Sequence, residues 1–372
     1  MKIDRRDFLK STMAVSSLTF LPAGAQAAPM ADAFAPKPGK WRRFEVTTRI
    51  EILNPQGPVK SWIPLPAFKA ADWIQPLGDR WNGNARTLTS RRVGRYGARM
   101  LAVEWAEGVA APVVEVRSQI ATRDRSIDLS SPGSPQPLSA AERRLFTAAT
   151  VLMPTDGIVK ETAEKITAGS TDDLAKAQRI YEWIVANTFR DAATRGCGAG
   201  DIATMLRTGN LGGKCADLNG LFVGLARAVG IPARDLYGIR VAPSQFGYKS
   251  LGANSQTITK AQHCRAEVYL SQYGWVPADP ADVRKVMLEE PPGNLPLDNA
   301  QVEAARQTLF GAWETNWIAY NDAHDVALAG SSGPAIAFLM YPQAETPAGR
   351  LDCIDADAFK YTITAKEIAL PA

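Results

Sequence analysis

"GGKCADLNGLFVGLARAVGIPAR", residues 212–234, decides how the rest of the chain is read. Leu218, Leu221, Phe222, Leu225 and Val229 recur at helical spacing, so they share one face of a predicted helix. Gly230 and Pro232 stop it. Cys215 then stands in the first turn, where unpaired amides and the helix dipole favour a thiolate. Lys214 acts in the same direction, and Gly212 and Gly213 leave room for a substrate to approach. The Cys215 N–H could itself serve an oxyanion. A buried structural cysteine needs none of this; a nucleophile does.

A nucleophilic thiol wants an imidazole within reach and a third group to orient it. The chain has only two histidines. His263 precedes the strand-like "CRAEVYL" (264–270), which turns at Gln272-Tyr273-Gly274 into "WVPADP" (275–280). A hairpin there brings His263 close to 279–282 on the neighbouring strand, with Asp279 and Asp282 both in range. Register alone does not choose between them, because one bulge shifts the pairing.

These blocks resemble the transglutaminase-like superfamily of papain-fold cysteine enzymes. The resemblance rests on "GGKCADLNGLFVGLARAVGIPAR", "HCRAEVYL" and "GWVPADP", in that order, across residues about 139–285. It implies acyl transfer with Cys215 as nucleophile, His263 as general base and acid, and Asp279 as the orienting carboxylate. No cofactor is implied, and the substrate would be an amide of a peptide or protein, cell-envelope peptides included. Water as acceptor makes a peptidase or amidase, the preferred expectation; an amine makes a transglutaminase. Two positions depart from the pattern. Cys264 stands where relatives often have an aromatic residue, and Phe189 aligns where a Tyr or Trp often holds the oxyanion. Phenylalanine has no donor, so the oxyanion site would need backbone amides and another side chain. These departures motivate a non-catalytic peptide- or envelope-protein-binding module as the alternative, with redox control through Cys215 and a neighbouring thiol as a third.

The expected fold class is α+β: an N-terminal antiparallel β domain followed by a papain-like core of helices packed on an antiparallel sheet. "FEVTTRIEIL" (44–53), "LAVEWAEG" (101–108) and "VVEVRSQIAT" (113–122) alternate with period two. They place the β domain at 38–127, and "SWIPLP" (61–66) is similar to such domains in bacterial relatives. After the turn-rich linker "DLSSPGSPQP", the core spans 138–290. Ser139 and Glu142 form a capping box opening a helix through Phe146 and Val151, and Thr171-Asp172-Asp173 opens another. Residues 291–372 read as a C-terminal extension of uncertain fold.

Residues 1–27 carry Arg5-Arg6, Phe8-Leu9, Lys10 and the small-x-small Ala25-Gln26-Ala27, which resembles a twin-arginine export signal. The expectation is a periplasmic protein starting near Ala28 with no membrane span, its apolar run being far short of ~20 residues. With 46% hydrophobic and 22% charged residues the composition is globular, and no basic run supports a nucleic-acid partner. Two histidines without ligand spacing give no case for a metal. Cys264 points away from the His263 face and reads as core or as half of a disulfide, with Cys197 a possible partner. His324 reads as a surface or hydrogen-bonded histidine, Asp217 as a dipole complement, and Trp62, Trp183, Trp275, Trp313 and Trp317 as core.

Overall fold

Alternation in the first third of the chain becomes strand in the computed structural model, which describes residues 34–369 apart from 56 and 358. The export segment assigned to 1–27 lies outside the described residues. β1 (Arg42–Glu51) buries Phe44, Val46 and Ile50. It pairs antiparallel with β6 (Val113–Thr122), which is flanked by β3 (Ile74–Gly83). A second sheet carries β2 (Val59–Leu65), β4 (Thr87–Val93) and β5 (Ala98–Trp105). The short β7 (Arg125–Ser126) leads into the linker.

Helices follow. α1 (Ala140–Thr147) opens on the Ser139–Glu142 capping box. It ends at Thr147, so Val151, expected on this helix, lies beyond it and is 79% exposed. α2 (Gly157–Thr167) starts after the N-cap Asp156, whose side chain makes no cap hydrogen bond. α3 (Asp173–Asn187) is capped by Asp172 and buries Ala177, Tyr181, Ile184 and Val185. β8 (Phe189–Arg190), α4 (Ile202–Thr208) and β9 (Gly212–Gly213) lead to α5 (Cys215–Ala228), buried from Cys215 through Arg227. A helix apolar on every side belongs inside a core, and α5 packs between α2, α3 and the main sheet.

That sheet is antiparallel, built from β10 (Ala233–Arg240), β11 (Gln262–Leu270) and β12 (Gly274–Ala278). After α6 (Pro280–Glu289), α7 (Ala300–Thr308) and β13 (Ala312–Trp313), β14 (Trp317–Asn321) joins it beside β10. Residues 291–372 thus extend all three sheets already formed. β15 (His324–Val326) and β16 (Ile336–Phe338) make a small ribbon, and β17 (Gln343–Thr346), with β18 (Gly349–Arg350), pairs with β2. β19 (Tyr361–Ile368) pairs with β1. One continuous apolar cluster runs from Phe44 on β1 through Leu218 on α5 to Ile363 on β19. The fold is α+β, with helices packed on an antiparallel sheet. Trp62, Trp313 and Trp317 are fully buried, while Trp275 lies under the Arg234 guanidinium at 3.8 Å from its ring centre.

Candidate active site

Cys215 is the first residue of α5, buried, and joined to its surroundings by two backbone ties. Ala216 N donates to the Cys197 carbonyl at 2.9 Å, and Asp217 Oδ2 accepts from Lys214 N at 2.9 Å. Asp217 Oδ1 also accepts from Gly200 N at 2.9 Å, so this carboxylate does more than complement a dipole: it pins the 196–200 loop to the helix start. The glycines find their reason here. A β-carbon on Gly213 would come within 2.5 Å of Asp217 Cβ, and one on Gly212 within 2.3 Å of the Phe189 ring. The pair therefore makes room for Asp217 and Phe189 rather than for a substrate. Phe189 lies over Gly212, pairing β8 with β9. The Cys215 N–H has no acceptor among the described residues.

β11 carries His263, paired with Gly238 of β10, and the Trp317 indole N–H donates to the His263 carbonyl at 2.8 Å. Pairing of β11 with β12 stops at Ala278. The expected position of the acids on a neighbouring strand is therefore corrected. Asp279 is the N-cap of α6, and Asp282 lies in its first turn. An interval of three residues puts both carboxylates on one helix face. His263 Nε2 is 2.8 Å from Asp279 Oδ2 and 3.4 Å from Asp282 Oδ2. The hydrogen bond goes to Asp279, and Nδ1 is the ring nitrogen left for Cys215.

Two arginines complete the charge pattern. Arg240 donates to Asp282 Oδ1 at 2.6 Å, and Arg265 Nε lies 3.3 Å from Asp279 Oδ2. Desolvation pushes the Asp282 carboxyl up, but Arg240 and then His263 outweigh it and hold Asp282 well below the usual range. Asp279 is raised, by burial and by Asp282 beside it. Burial and Arg240 depress His263, yet Asp282, Asp279 and the Cys215 thiolate raise it to about 9. Burial alone would raise Cys215. Hydrogen bonds from Cys197 and Cys264, and the charge of His263, bring it well below an ordinary thiol. Both directions favour a thiolate–imidazolium pair. His263, Asp279 and Asp282 lie close enough together to hold a cation. The donor set does not fit one, because Arg240 and Arg265 already neutralise both carboxylates.

The structure thus brings Cys215, His263 and Asp279 together and adds residues that sequence reasoning missed. Asn219, one turn after Cys215, donates to Asp279 Oδ1 and to the Cys264 carbonyl. Cys264 does not point away from the site; its thiol and that of Cys197 both flank Cys215, and all four cysteines are free. No disulfide joins Cys197 to Cys264. Tyr341, from the C-terminal region, has its hydroxyl beside Cys197 and lines the same cavity. His324 is elsewhere, buried, its Nδ1 at 3.2 Å from the Tyr237 hydroxyl. A polar Asn one turn after Cys215 on a buried helix, and Arg265 two residues beyond His263 on one strand face, were the available signals. Arg240 and Tyr341 offered none.

The model of the transglutaminase-like superfamily matches residues 160–280, which hold Cys215, Asn219, Arg240, His263, Arg265 and Asp279. A Haemophilus influenzae protein of uncharacterised function is 36% identical over 342 residues, spanning 87% of this chain and 91% of that one. The chain belongs to the transglutaminase-like superfamily. A solved structure of a cysteine-protease candidate from Cytophaga hutchinsonii shares the fold. Its TM-score is 0.50 at 14% identity, over 88% of this chain and 99% of that one. The periplasmic domain of TgpA from Pseudomonas aeruginosa aligns more loosely, with TM-score 0.34 at 16% identity, over 66% of this chain and 73% of that one. In this transglutaminase-like chain the family match ends at the N-terminus of α6. Tyr341 and β14 therefore come to the site from outside it.

Proposed function

We propose that this protein is an exported cysteine-dependent amide hydrolase, acting on peptides or proteins in the periplasm with Cys215, His263 and Asp279 as its catalytic residues. One observation carries the reading. A helix-terminal thiol shares a buried site with an imidazole whose far nitrogen is 2.8 Å from a carboxylate. Cys215 Sγ attacks the amide carbonyl, and His263 Nδ1–H protonates the departing amine. Water, deprotonated by His263, then releases the acid and regenerates the thiol. Asp279 holds the ring orientation and its positive charge. The Cys215 N–H and the Tyr341 hydroxyl are the donors offered to the oxyanion. Phe189 is not needed for that task.

Hydrolysis is favoured over transfer to an amine because water is always present. The resemblance of residues 1–27 to a twin-arginine export signal supports the location. The test is turnover of an amide-substrate library by the purified mature protein and by Cys215→Ala. Turnover surviving in Cys215→Ala refutes the assignment. Capture of peptides by Cys215→Ser and wild type alike, never with turnover, would establish the binding-module reading instead.

Redox control has an observation of its own, since Cys197 lies against Cys215. A hydroperoxide would oxidise the Cys215 thiolate to a sulfenic acid, and the Cys197 thiol would condense with it, losing water. Peptide mapping after peroxide treatment tests this by the presence or absence of a Cys197–Cys215 bridge.

A further inference from the structure

The cavity holding Cys215 and His263 has a volume of about 580 Å³. Arg190, Lys214, Arg240, Lys260 and Lys285 line it, and neither Asp nor Glu is among its lining residues. The chain as a whole nearly balances its charges, with 42 basic and 38 acidic residues, so this bias is local. The counter-charges stand behind the wall. Asp282 pairs with Arg240 at 2.6 Å, and Glu289 is shared by Arg190 and, at 3.6 Å, by Lys285. Lys214 and Lys260 form no ion pair among the described residues.

Lys285 is the most informative of the five. It stands on the first turns of α6, three residues beyond Asp282 on the same face. Its side chain is only 17% exposed. Burial, and then the Arg240 charge, lower it to about 8. A buried ammonium among other cations is an unfavourable arrangement unless an anion comes to share it. Low-dielectric walls lined by one sign of charge also focus the field and concentrate ions of the opposite sign.

We infer that the cleft selects amide substrates bearing a carboxylate close to the scissile bond, with Lys285 and Lys260 as specificity-determining residues. The inference deepens the proposed function and rests on it for the identity of the scissile bond. The positive lining does not change the chemistry at Cys215; it determines which acyl compounds reach it. A neutral peptide of the same shape would leave Lys285 with Glu289, which it shares with Arg190, as its only ion-pair partner among the described residues.

Two measurements separate this inference from the hydrolase reading. Iodoacetate and iodoacetamide differ by a carboxylate, and both alkylate a thiolate. Cys215 should show an iodoacetate-to-iodoacetamide rate ratio ~10-fold above that of a free-cysteine peptide treated alongside. The ratio should fall at least ~3-fold in Lys285→Gln, in Lys260→Gln, and on raising the salt to ~1 M. A ratio equal to the free peptide's, or unchanged in both variants, overturns the inference. Slow alkylation by both reagents at low pH would count against the thiolate, and the second measurement is independent of it. Thermal shifts of Cys215→Ala are read with three acetylated tripeptides: Ala-Glu-Ala amide, Ala-Gln-Ala amide and Ala-Ala-Ala acid. Stabilisation by the first identifies a side-chain carboxylate as the ligand, and by the third a chain terminus. Equal shifts from all three, or none, overturn the inference.

Discussion

Asn219 on α5 and Asp279 at the cap of α6 are joined by a 3.0 Å hydrogen bond from the Asn219 amide N–H to Asp279 Oδ1. The same amide donates to the Cys264 carbonyl at 2.8 Å, and its oxygen accepts from Ala281 N at 3.1 Å. One buried side chain thus ties together the three elements that carry Cys215, His263 and Asp279. Asn219→Ala should cost about 1–3 kcal/mol of stability by leaving buried groups unpaired. It should also lower kcat by ~10-fold or more, with KM little changed. Chemical denaturation alongside steady-state kinetics checks both effects; an unaltered kcat would show that the carboxylate is positioned without Asn219.

The thiolate–imidazolium pair predicts a bell-shaped pH dependence. Cys215 lies well below an ordinary thiol and His263 is raised to about 9. Activity should rise with pH as Cys215 loses its proton and fall as His263 loses its own near pH 9. These limbs belong to the coupled pair rather than to either residue. In His263→Ala, iodoacetamide alkylation of Cys215 should shift toward the ordinary thiol range near ~8.5. Unchanged alkylation below pH 7 in that variant would remove His263 as the stabilising charge.

Asp279 and Asp282 should fail differently when neutralised. Asp279→Asn keeps the cap hydrogen bonds but loses the charge against His263, so kcat should drop by ~10²–10⁴ with stability largely kept. Asp282→Asn strands the buried Arg240, at a cost of about 3–5 kcal/mol. Thermal melts and kcat measured on both variants decide it. A stable, inactive Asp282→Asn beside an active Asp279→Asn would exchange the roles.

Tyr341 carries a buried hydroxyl whose pKa is pushed well above the phenol range, by burial and then by Cys197, so it remains a donor at every working pH. Tyr341→Phe should lower kcat by ~10²-fold with Cys215 alkylation unaffected. Equal kcat would leave the oxyanion to the Cys215 N–H alone.

Away from the site, Asp235 is buried with neither carboxylate oxygen hydrogen-bonded, and desolvation raises it to about 7. A raised carboxyl favours the protonated fold, so its contribution to stability is lost as pH climbs from about 4 to about 7. His324, 3.8 Å away and held well below its usual value mainly by burial, acts oppositely, with stability lost as pH falls below about 6.5. Asp235→Asn should raise Tm by a few degrees, ~3–8 °C, at pH 8 and change it little at pH 4. An equal change at both values would show that packing, not ionisation, governs the site.

The amino-acid sequence by itself determined the local elements near Cys215. The spacing of Leu218, Leu221, Phe222 and Leu225 makes a buried helix, Gly230 ends it, and the periods of "CRAEVYL" and "GWVPAD" make the strands after it. Such patterns are legible because each follows from contacts a few residues apart. Tertiary structure alone decided what depends on residues far apart in the chain. It brought Cys197 and Cys264 to the Cys215 thiol, set Asp279 on a helix cap instead of a strand, and carried Tyr341 and β14 to the site. The glycines at 212 and 213 were read as access for a substrate, whereas their neighbours are the Phe189 ring and the Asp217 carboxylate. The cationic cleft has the same origin. Arg190, Lys214, Arg240, Lys260 and Lys285 form no run in the sequence, because five separate segments converge on one cavity and each contributes a single charge.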